Sequence, residues 1–248
     1  MPEGPEMVFL KEQAAQFIGC SIISATGQAP HLPFQELPEQ TLNNIRTFGK
    51  EIFFCFSDLT IRIHLMLFGK YSINGELNRE LRLGLEFETG TINFYACDCR
   101  IISQPLNDVY DWSSDVMQKS FNPEKALEKL YKEPKKLICE ALLDQAILAG
   151  VGNGIKNEVL YQRQIHPESQ VGEIPPEEVR KLINACVTFS AQYLRWLQEG
   201  NRNEHWQVYR QKVCPRDQIP LRKEKIGKGG RSCYFCDKCQ QLYHINTL

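Results

Sequence analysis

Two periodicities divide the chain. From Met7 to Phe17 apolar residues recur at helical spacing, and Gly19 follows as the usual residue beyond a helix C-terminus. The period then changes to two. Ile52–Phe56, Ile61/Ile63/Leu65, Leu81/Leu83/Leu85/Phe87 and Ile92/Phe94 alternate or run apolar, with Asn74-Gly75 and Thr89-Gly90 as turn signals between them. Strands at such short intervals predict an antiparallel sandwich or barrel. Residues 104–122, with Pro105, Asn107, Asp108 and a Ser-Ser pair, read as an interdomain linker. Helical period then resumes. Asn122-Pro123 is an N-cap followed by proline, and Leu127 and Leu130 share a face. A second helix is expected over about 135–144 and a third over about 154–164, separated by Ala149-Gly150-Val151-Gly152-Asn153. A fourth starts at Pro175-Pro176 and carries Val179, Leu182, Ile183, Cys186, Phe189, Tyr193 and Leu197 before Gly200. The expected fold class is α+β: an N-terminal helix and antiparallel β domain over 1–115, a helical domain over 122–200, and a third element over 205–248.

The third element has few apolar residues for its length, so it needs another source of stability. Cys236-Asp237-Lys238-Cys239 is one metal-ligand knuckle, and Cys214-Pro215-Arg216-Asp217 stands upstream of it with Asp in the fourth place. Zinc takes four tetrahedral ligands, and carboxylate oxygen is an accepted one. A structural zinc ribbon held by Cys214, Asp217, Cys236 and Cys239 is the preferred reading. Cys233, His205 and His244 are rivals for the fourth place, and a degraded, metal-free site is the remaining alternative. Between the half-sites, Lys228-Gly229-Gly230-Arg231-Ser232 puts an arginine suited to phosphate at a glycine-rich tip.

Charge sharpens this picture. The 248-residue chain has a net charge of −1, yet residues 201–248 hold ten Lys/Arg against four Asp/Glu. A basic end on an acidic protein fits either a polyanion partner or a solvated charged tail. A composition 42% hydrophobic and 24% charged is that of a soluble globular protein. No apolar run approaches the ~18 residues of a membrane span, and no signal peptide is evident. The expectation is a cytoplasmic monomer (nucleoid-associated if bacterial) with no membrane partner. Its ten cysteines are then thiols or metal ligands rather than disulfides.

The N-terminus Met1-Pro2-Glu3-Gly4-Pro5-Glu6 carries candidate chemistry. Removal of Met1 leaves Pro2 with a free secondary amine, and an α-amino group loses its proton near pH ~8. Such an amine attacking a sugar aldehyde carbon forms a cationic Schiff base. Glu3 and Glu6 are close enough in sequence to move protons. The alternative is an acidic, proline-capped first helical turn without chemistry.

Taken together, these segments resemble the formamidopyrimidine-DNA glycosylase/endonuclease VIII family, closer to the endonuclease VIII branch. The resemblance rests on Pro2–Glu6, on Gly49-Lys50 before a strand, on Leu142–Asn153 as the turn of a helix–two-turns–helix element, and on Gly230-Arg231-Ser232 before Tyr234–Gln240. It covers nearly the whole chain. It implies an N-terminal β-sandwich, a helix–two-turns–helix domain and a zinc ribbon on a β-hairpin. It also implies a bifunctional DNA glycosylase/lyase acting on duplex DNA with a damaged or abasic site. Pro2 would attack C1′, Glu3 would act as general acid/base, and Glu6 would be catalytic or would orient the N-terminus. Lys50, Asn153 and Arg231 would clamp phosphates, and Leu67, beside Met66 and Phe68, would fill the space of the extruded base. Asn153 could instead cap its helix, and Glu158 matches a family glutamate that a surface residue would mimic.

Two departures bear on substrate. Tyr95-Ala96-Cys97-Asp98-Cys99-Arg100 stands where the formamidopyrimidine branch has an Asp-Pro-Arg-Arg-Phe motif, and Gly200 to Cys214 is too short for that branch's capping loop. Both point to oxidised pyrimidines, with the oxidised-purine activity of the sister branch as an alternative. A non-catalytic binder of damaged DNA, and a module contacting RNA or protein, are the readings from other classes. Pro2 with Glu3 speaks against the first, and the β-rich N-terminal half with Gly49-Lys50 against the second.

Overall fold

Pro5 occupies the first turn of α1 (Gly4–Ala14), where its missing N–H costs no hydrogen bond. Met7, Leu10 and Ala14, joined by Phe17 in the following single turn of helix, are fully buried at spacings of three and four residues. The chain is described here from a computed structural model over residues 2–244. It forms two compact units, one ending at Asp111 and one beginning at Trp112.

In the first unit α1 is followed by eight strands: β1 (Ile22–Thr26), β2 (Asn44–Phe48), β3 (Glu51–Cys55), β4 (Thr60–His64), β5 (Lys70–Ile73), β6 (Leu81–Phe87), β7 (Gly90–Tyr95) and β8 (Asp98–Ile102). They build two four-stranded antiparallel sheets, ordered β1-β6-β7-β5 and β2-β3-β4-β8. One apolar core takes residues from both sheets and from α1, with Phe54 edge-on to Phe94 at 5.7 Å and Phe17 stacked on Phe87 at 4.9 Å. The expected sandwich with an N-terminal helix is therefore present, and α1 lies against β2 and β3. A short helix, α2 (Leu106–Val109), closes the unit.

The second unit holds α3 (Pro123–Tyr131), α4 (Ile138–Ala141), α5 (Asn153–Gln162), α6 (Pro176–Gln198) and an antiparallel hairpin, β9 (Arg222–Ile226) and β10 (Arg231–Phe235). α6 buries the apolar face read from its spacing. One expectation fails. The helix expected over 135–144 is a single turn, because the backbone before it pairs elsewhere: Val171 N–H donates to Lys136 O at 3.0 Å and Ile138 N–H to Ser169 O at 2.8 Å. The boundary between the two units falls inside 104–122, the stretch read as an interdomain linker. Leu106, Ser114 and Asp115 are buried, and Ala149 N–H donates to Ser114 O at 2.8 Å. Within it Asp115 Oδ1 accepts Met117 N–H at 2.9 Å.

Candidate functional site

Glu3 is the N-cap of α1 and is buried, while Glu6 Oε2 accepts the Glu3 N–H at 2.8 Å. This is the carboxylate half of a capping box. This contact is of the kind that one of the two readings for Glu6, orientation of the N-terminus, calls for. Pro2 thus leads directly into a helix whose far face is locked in the core, so its position is set by packing. Met1, whose removal the chemistry requires, lies outside the described residues.

Gly49-Lys50 forms the two-residue turn between β2 and β3, with Phe48 paired to Glu51. Gly49 has φ of 55°, as a hairpin with glycine first in the turn demands. Lys50 is nearly buried despite sitting at the tip. Beside it lies a network that sequence reading did not anticipate. Glu51 accepts from the Arg62 guanidinium, Nε at 2.8 Å, and from Tyr110 Oη at 2.7 Å, while Arg62 also donates to Asp98 at 2.8 Å. Burial, then the neighbouring Glu51 carboxylate, raises the Tyr110 pKa.

Between β4 and β5, Met66, Leu67 and Phe68 are 49%, 50% and 71% exposed. Three consecutive exposed apolar residues are uncommon on a soluble protein. Their loop is built tightly: His64 Nδ1 accepts Met66 N–H at 3.0 Å, Met66 has φ of 48°, and Gly69 N–H closes onto Leu65 O at 2.7 Å. Burial lowers the His64 pKa, which favours the neutral ring that can accept.

In the second unit the structure ties Asn153 to the hairpin strand that carries Arg231. Gly152, not Asn153, is the N-cap of α5, which corrects the capping alternative. Asn153 Nδ2 donates across to Ser232 O at 3.0 Å, next to exposed Arg231. Two further α5 side chains hold the same strand. Asn157 Nδ2 donates to Ser232 O at 3.3 Å and its Oδ1 accepts Tyr234 N–H at 2.8 Å, while Lys156 Nζ lies 3.4 Å from Ser232 O. Glu158 is no surface residue: fully buried, it accepts N–H groups from Gln207, Val208 and Tyr209 at 2.8 to 3.2 Å. It anchors the segment before the hairpin.

Cys214, Asp217, Cys236 and Cys239 offer ligand atoms all within 4.8 Å of one another. Tetrahedral zinc with bonds of ~2.3 Å to sulfur and ~2.0 Å to oxygen puts sulfurs ~3.8 Å apart and sulfur and oxygen ~3.5 Å apart. The Cys214–Cys239 sulfurs are 3.9 Å apart, and Asp217 Oδ2 lies 3.6 Å from Cys214 Sγ and 3.3 Å from Cys236 Sγ. The cluster can hold a metal ion and fits structural zinc. The rivals fall away: Cys233 Sγ faces Lys156, His205 stacks on Trp196 at 4.5 Å, and neither His205 nor His244 joins the cluster.

The formamidopyrimidine-DNA glycosylase H2TH domain matches residues 113–196. Endonuclease 8-like 3 of Xenopus laevis is 28% identical over 89% of this chain but 38% of its own length. The chain spans about a third to a half of the lengths of the vertebrate relatives it matches. Formamidopyrimidine-DNA glycosylase of Oceanobacillus iheyensis is 29% identical over 97% of this chain and 98% of its own. Among solved structures, MutM with DNA containing carbocyclic 8-oxo-G has a TM-score of 0.85. The Lactococcus lactis formamidopyrimidine glycosylase with DNA containing an oxidised pyrimidine has 0.86. Each is 25% identical and covers 97% of this chain and 100% of the solved one.

Proposed function

As a member of the formamidopyrimidine-DNA glycosylase/endonuclease VIII (H2TH) superfamily, this chain is, we propose, a bifunctional DNA glycosylase and abasic-site lyase acting on oxidised bases in duplex DNA. The observation that carries the reading is the N-terminus: Pro2 precedes a buried Glu3 at the head of α1, a helix fixed by Met7, Leu10 and Ala14. Once Met1 is removed, the Pro2 nitrogen attacks C1′ of the damaged nucleotide, the base departs, and a Schiff base remains. Glu3 moves protons between the sugar oxygen and the leaving groups. Glu6 holds the Glu3 backbone and so orients the amine. Elimination from the Schiff base, first β and then δ, cleaves the strand on both sides of the lost sugar.

By the resemblance, Lys50, Asn153 and Arg231 bind phosphates flanking the lesion. Asn153 does so from the N-terminal turn of α5, the end of the helix dipole that favours an anion. Leu67, with Met66 and Phe68 beside it, fills the vacated stack. Zinc bound by Cys214, Asp217, Cys236 and Cys239 supplies folding energy to the hairpin that carries Arg231, and no chemical step.

For the lesion, the matched formamidopyrimidine-DNA glycosylases and the MutM complex with 8-oxo-G support oxidised purines ahead of pyrimidines. The sequence expectation of a pyrimidine substrate becomes the second reading. It is favoured by the absence of the void-filling motif at Tyr95–Arg100 and by the short span from Gly200 to Cys214, and by the solved complex with an oxidised pyrimidine. The test is borohydride trapping of the protein beginning at Pro2 on duplexes with 8-oxoguanine, formamidopyrimidine, thymine glycol or an abasic site. A covalent adduct lost in Pro2→Gly supports the mechanism, and the order of adduct yields assigns the lesion. Absence of any adduct, or an undiminished adduct in Pro2→Gly, removes it.

A further inference from the structure

The hairpin that carries Arg231 turns through Gly227-Lys228-Gly229-Gly230, between Ile226 of β9 and Arg231 of β10. Glycine loses more conformational freedom on ordering than any other residue, so a tip of this composition is costly to fix. Among the described residues, one hydrogen bond ties the turn to the rest of the unit. Glu140 of α4 accepts the Lys228 N–H through Oε1 at 2.7 Å. Gly227 packs against the same carboxylate: a Cβ there would lie 2.4 Å from Glu140 Cδ and 2.5 Å from Oε1. Its φ of 75° favours glycine independently.

The charge of Glu140 is out of keeping with its surroundings. It lines two hollows, of about 370 Å³ and about 960 Å³. Lys136, Lys156 and Arg231 also line the first, and Lys135, Lys136 and Lys228 the second. The other acids of these walls, Asp144 and Glu133, pair with Lys136 at 3.1 and 3.0 Å. Glu140 has no ion pair among the described residues. A negative charge on a basic wall opposes a polyanion, so electrostatics alone would omit it. What the carboxylate supplies is a charge-assisted hydrogen bond to a backbone N–H, stronger than a neutral one.

We propose that Glu140 is a positioning residue: it latches the hairpin tip to α4 and so sets where Arg231 presents its guanidinium to phosphate. The inference rests on the reading of Arg231 as a phosphate ligand and deepens it. Arg231 is exposed, and its side chain has no hydrogen bond or ion pair among the described residues, so its backbone fixes it. That backbone is anchored on both sides. Asn153 and Asn157 hold Ser232 O at 3.0 and 3.3 Å, and Glu140 holds Lys228.

The bond and the charge act with opposite signs on DNA binding, and substitutions separate them. Glu140→Gln keeps a side-chain oxygen for the Lys228 N–H and removes the charge. Glu140→Ala removes both. Gly227→Ala keeps the charge and forces the tip away from the carboxylate. Affinity is read by fluorescence anisotropy on a duplex containing a tetrahydrofuran abasic-site analogue. Glu140→Ala and Gly227→Ala should each weaken binding about tenfold, the factor that loss of one hydrogen bond to a charged group implies. Glu140→Gln should bind as tightly as the parent protein or more so. In an Arg231→Ala background, Glu140→Ala should cost nothing further, because its effect passes through that side chain. Without DNA, exchange of the Lys228 amide followed by NMR should be slow in the parent and in Glu140→Gln, and fast in Glu140→Ala. Glu140→Ala binding as tightly as the parent, or Glu140→Gln weakened as much as Glu140→Ala, overturns the latch and leaves Arg231 its role. Unchanged binding in Arg231→Ala instead overturns the phosphate reading, and the proposal with it.

Discussion

Asn157→Asp replaces one NH₂ group by oxygen and nothing else, yet the structure assigns it a large cost. Asn157 is buried, its Nδ2 donating to Asn153 O at 2.6 Å and Ser232 O at 3.3 Å, its Oδ1 accepting Tyr234 N–H at 2.8 Å. The substitution keeps the last bond and turns two attractive contacts into acceptor facing acceptor. Two lost hydrogen bonds at ~0.5–1.5 kcal/mol each, plus ~1–3 kcal/mol for a buried acceptor left without its donor, give about 2–6 kcal/mol at neutral pH. For a chain this long that is a fall in Tm of about 2–4 °C per kcal/mol. The pH dependence gives the sharper test. Burial and two facing carbonyls raise the pKa of the introduced carboxylate above its unfolded value of about 3.9. A group raised on folding contributes stability that is present below the unfolded pKa and is lost as pH rises through the folded one. The deficit relative to the parent protein should therefore shrink on acidification toward pH ~4 and be fully developed at pH ~7. Urea unfolding of both proteins at matched pH measures it. A deficit under ~0.5 kcal/mol at neutral pH, within the range of an ordinary surface substitution, or one that grows on acidification, would refute the clamp on β10.

Asp217→Ala should speed zinc release to a chromogenic chelator and lower the melting temperature, while Asp217→Cys, completing a four-thiolate set, should slow release. Equal release rates in all three proteins would dismiss the cluster as a metal site. Gly69→Ala should destabilise the first unit, because an added Cβ would lie 2.2 Å from Leu65 O. Phe68→Ala, 71% exposed, should leave unfolding within about 0.5 kcal/mol while weakening trapping on lesion duplex; urea titrations and borohydride gels separate the two. Tyr110→Phe removes the donor to Glu51 and should cost about 1–3 kcal/mol, read from the midpoint of urea unfolding.

Local pattern made much of this molecule legible. The apolar faces of α1 and α6 are continuous at helical spacing, and the strands of the sandwich alternate, so burial followed from position alone. The cluster able to hold a metal was legible because its spacing constrains chemistry, and Asp217 falls within it despite being the wrong residue for the pattern. What stayed hidden depends on partners far along the chain. The stretch 135–144 has helical composition, but its backbone is claimed by residues 167–171. Lys156, Asn157 and Glu158 look like the solvated side of a helix, since charged and amide residues are seldom fully buried without partners. Each has a partner 49 to 77 residues later. The Glu51–Arg62–Asp98–Tyr110 network was invisible for the same reason, joining four separate segments through side chains.

The grip of α5 on β10 also sets a timetable for the newborn chain. α5 leaves the ribosome about 75 residues ahead of the strand that completes it, a delay of about 4–15 s at ordinary elongation rates. Through that interval Lys156 has neither Cys233 nor the Ser232 carbonyl to receive its charge, and α5 cannot settle into its final burial. The helical unit must therefore wait for its last strand, whereas every strand of the sandwich can pair before α5 has been translated.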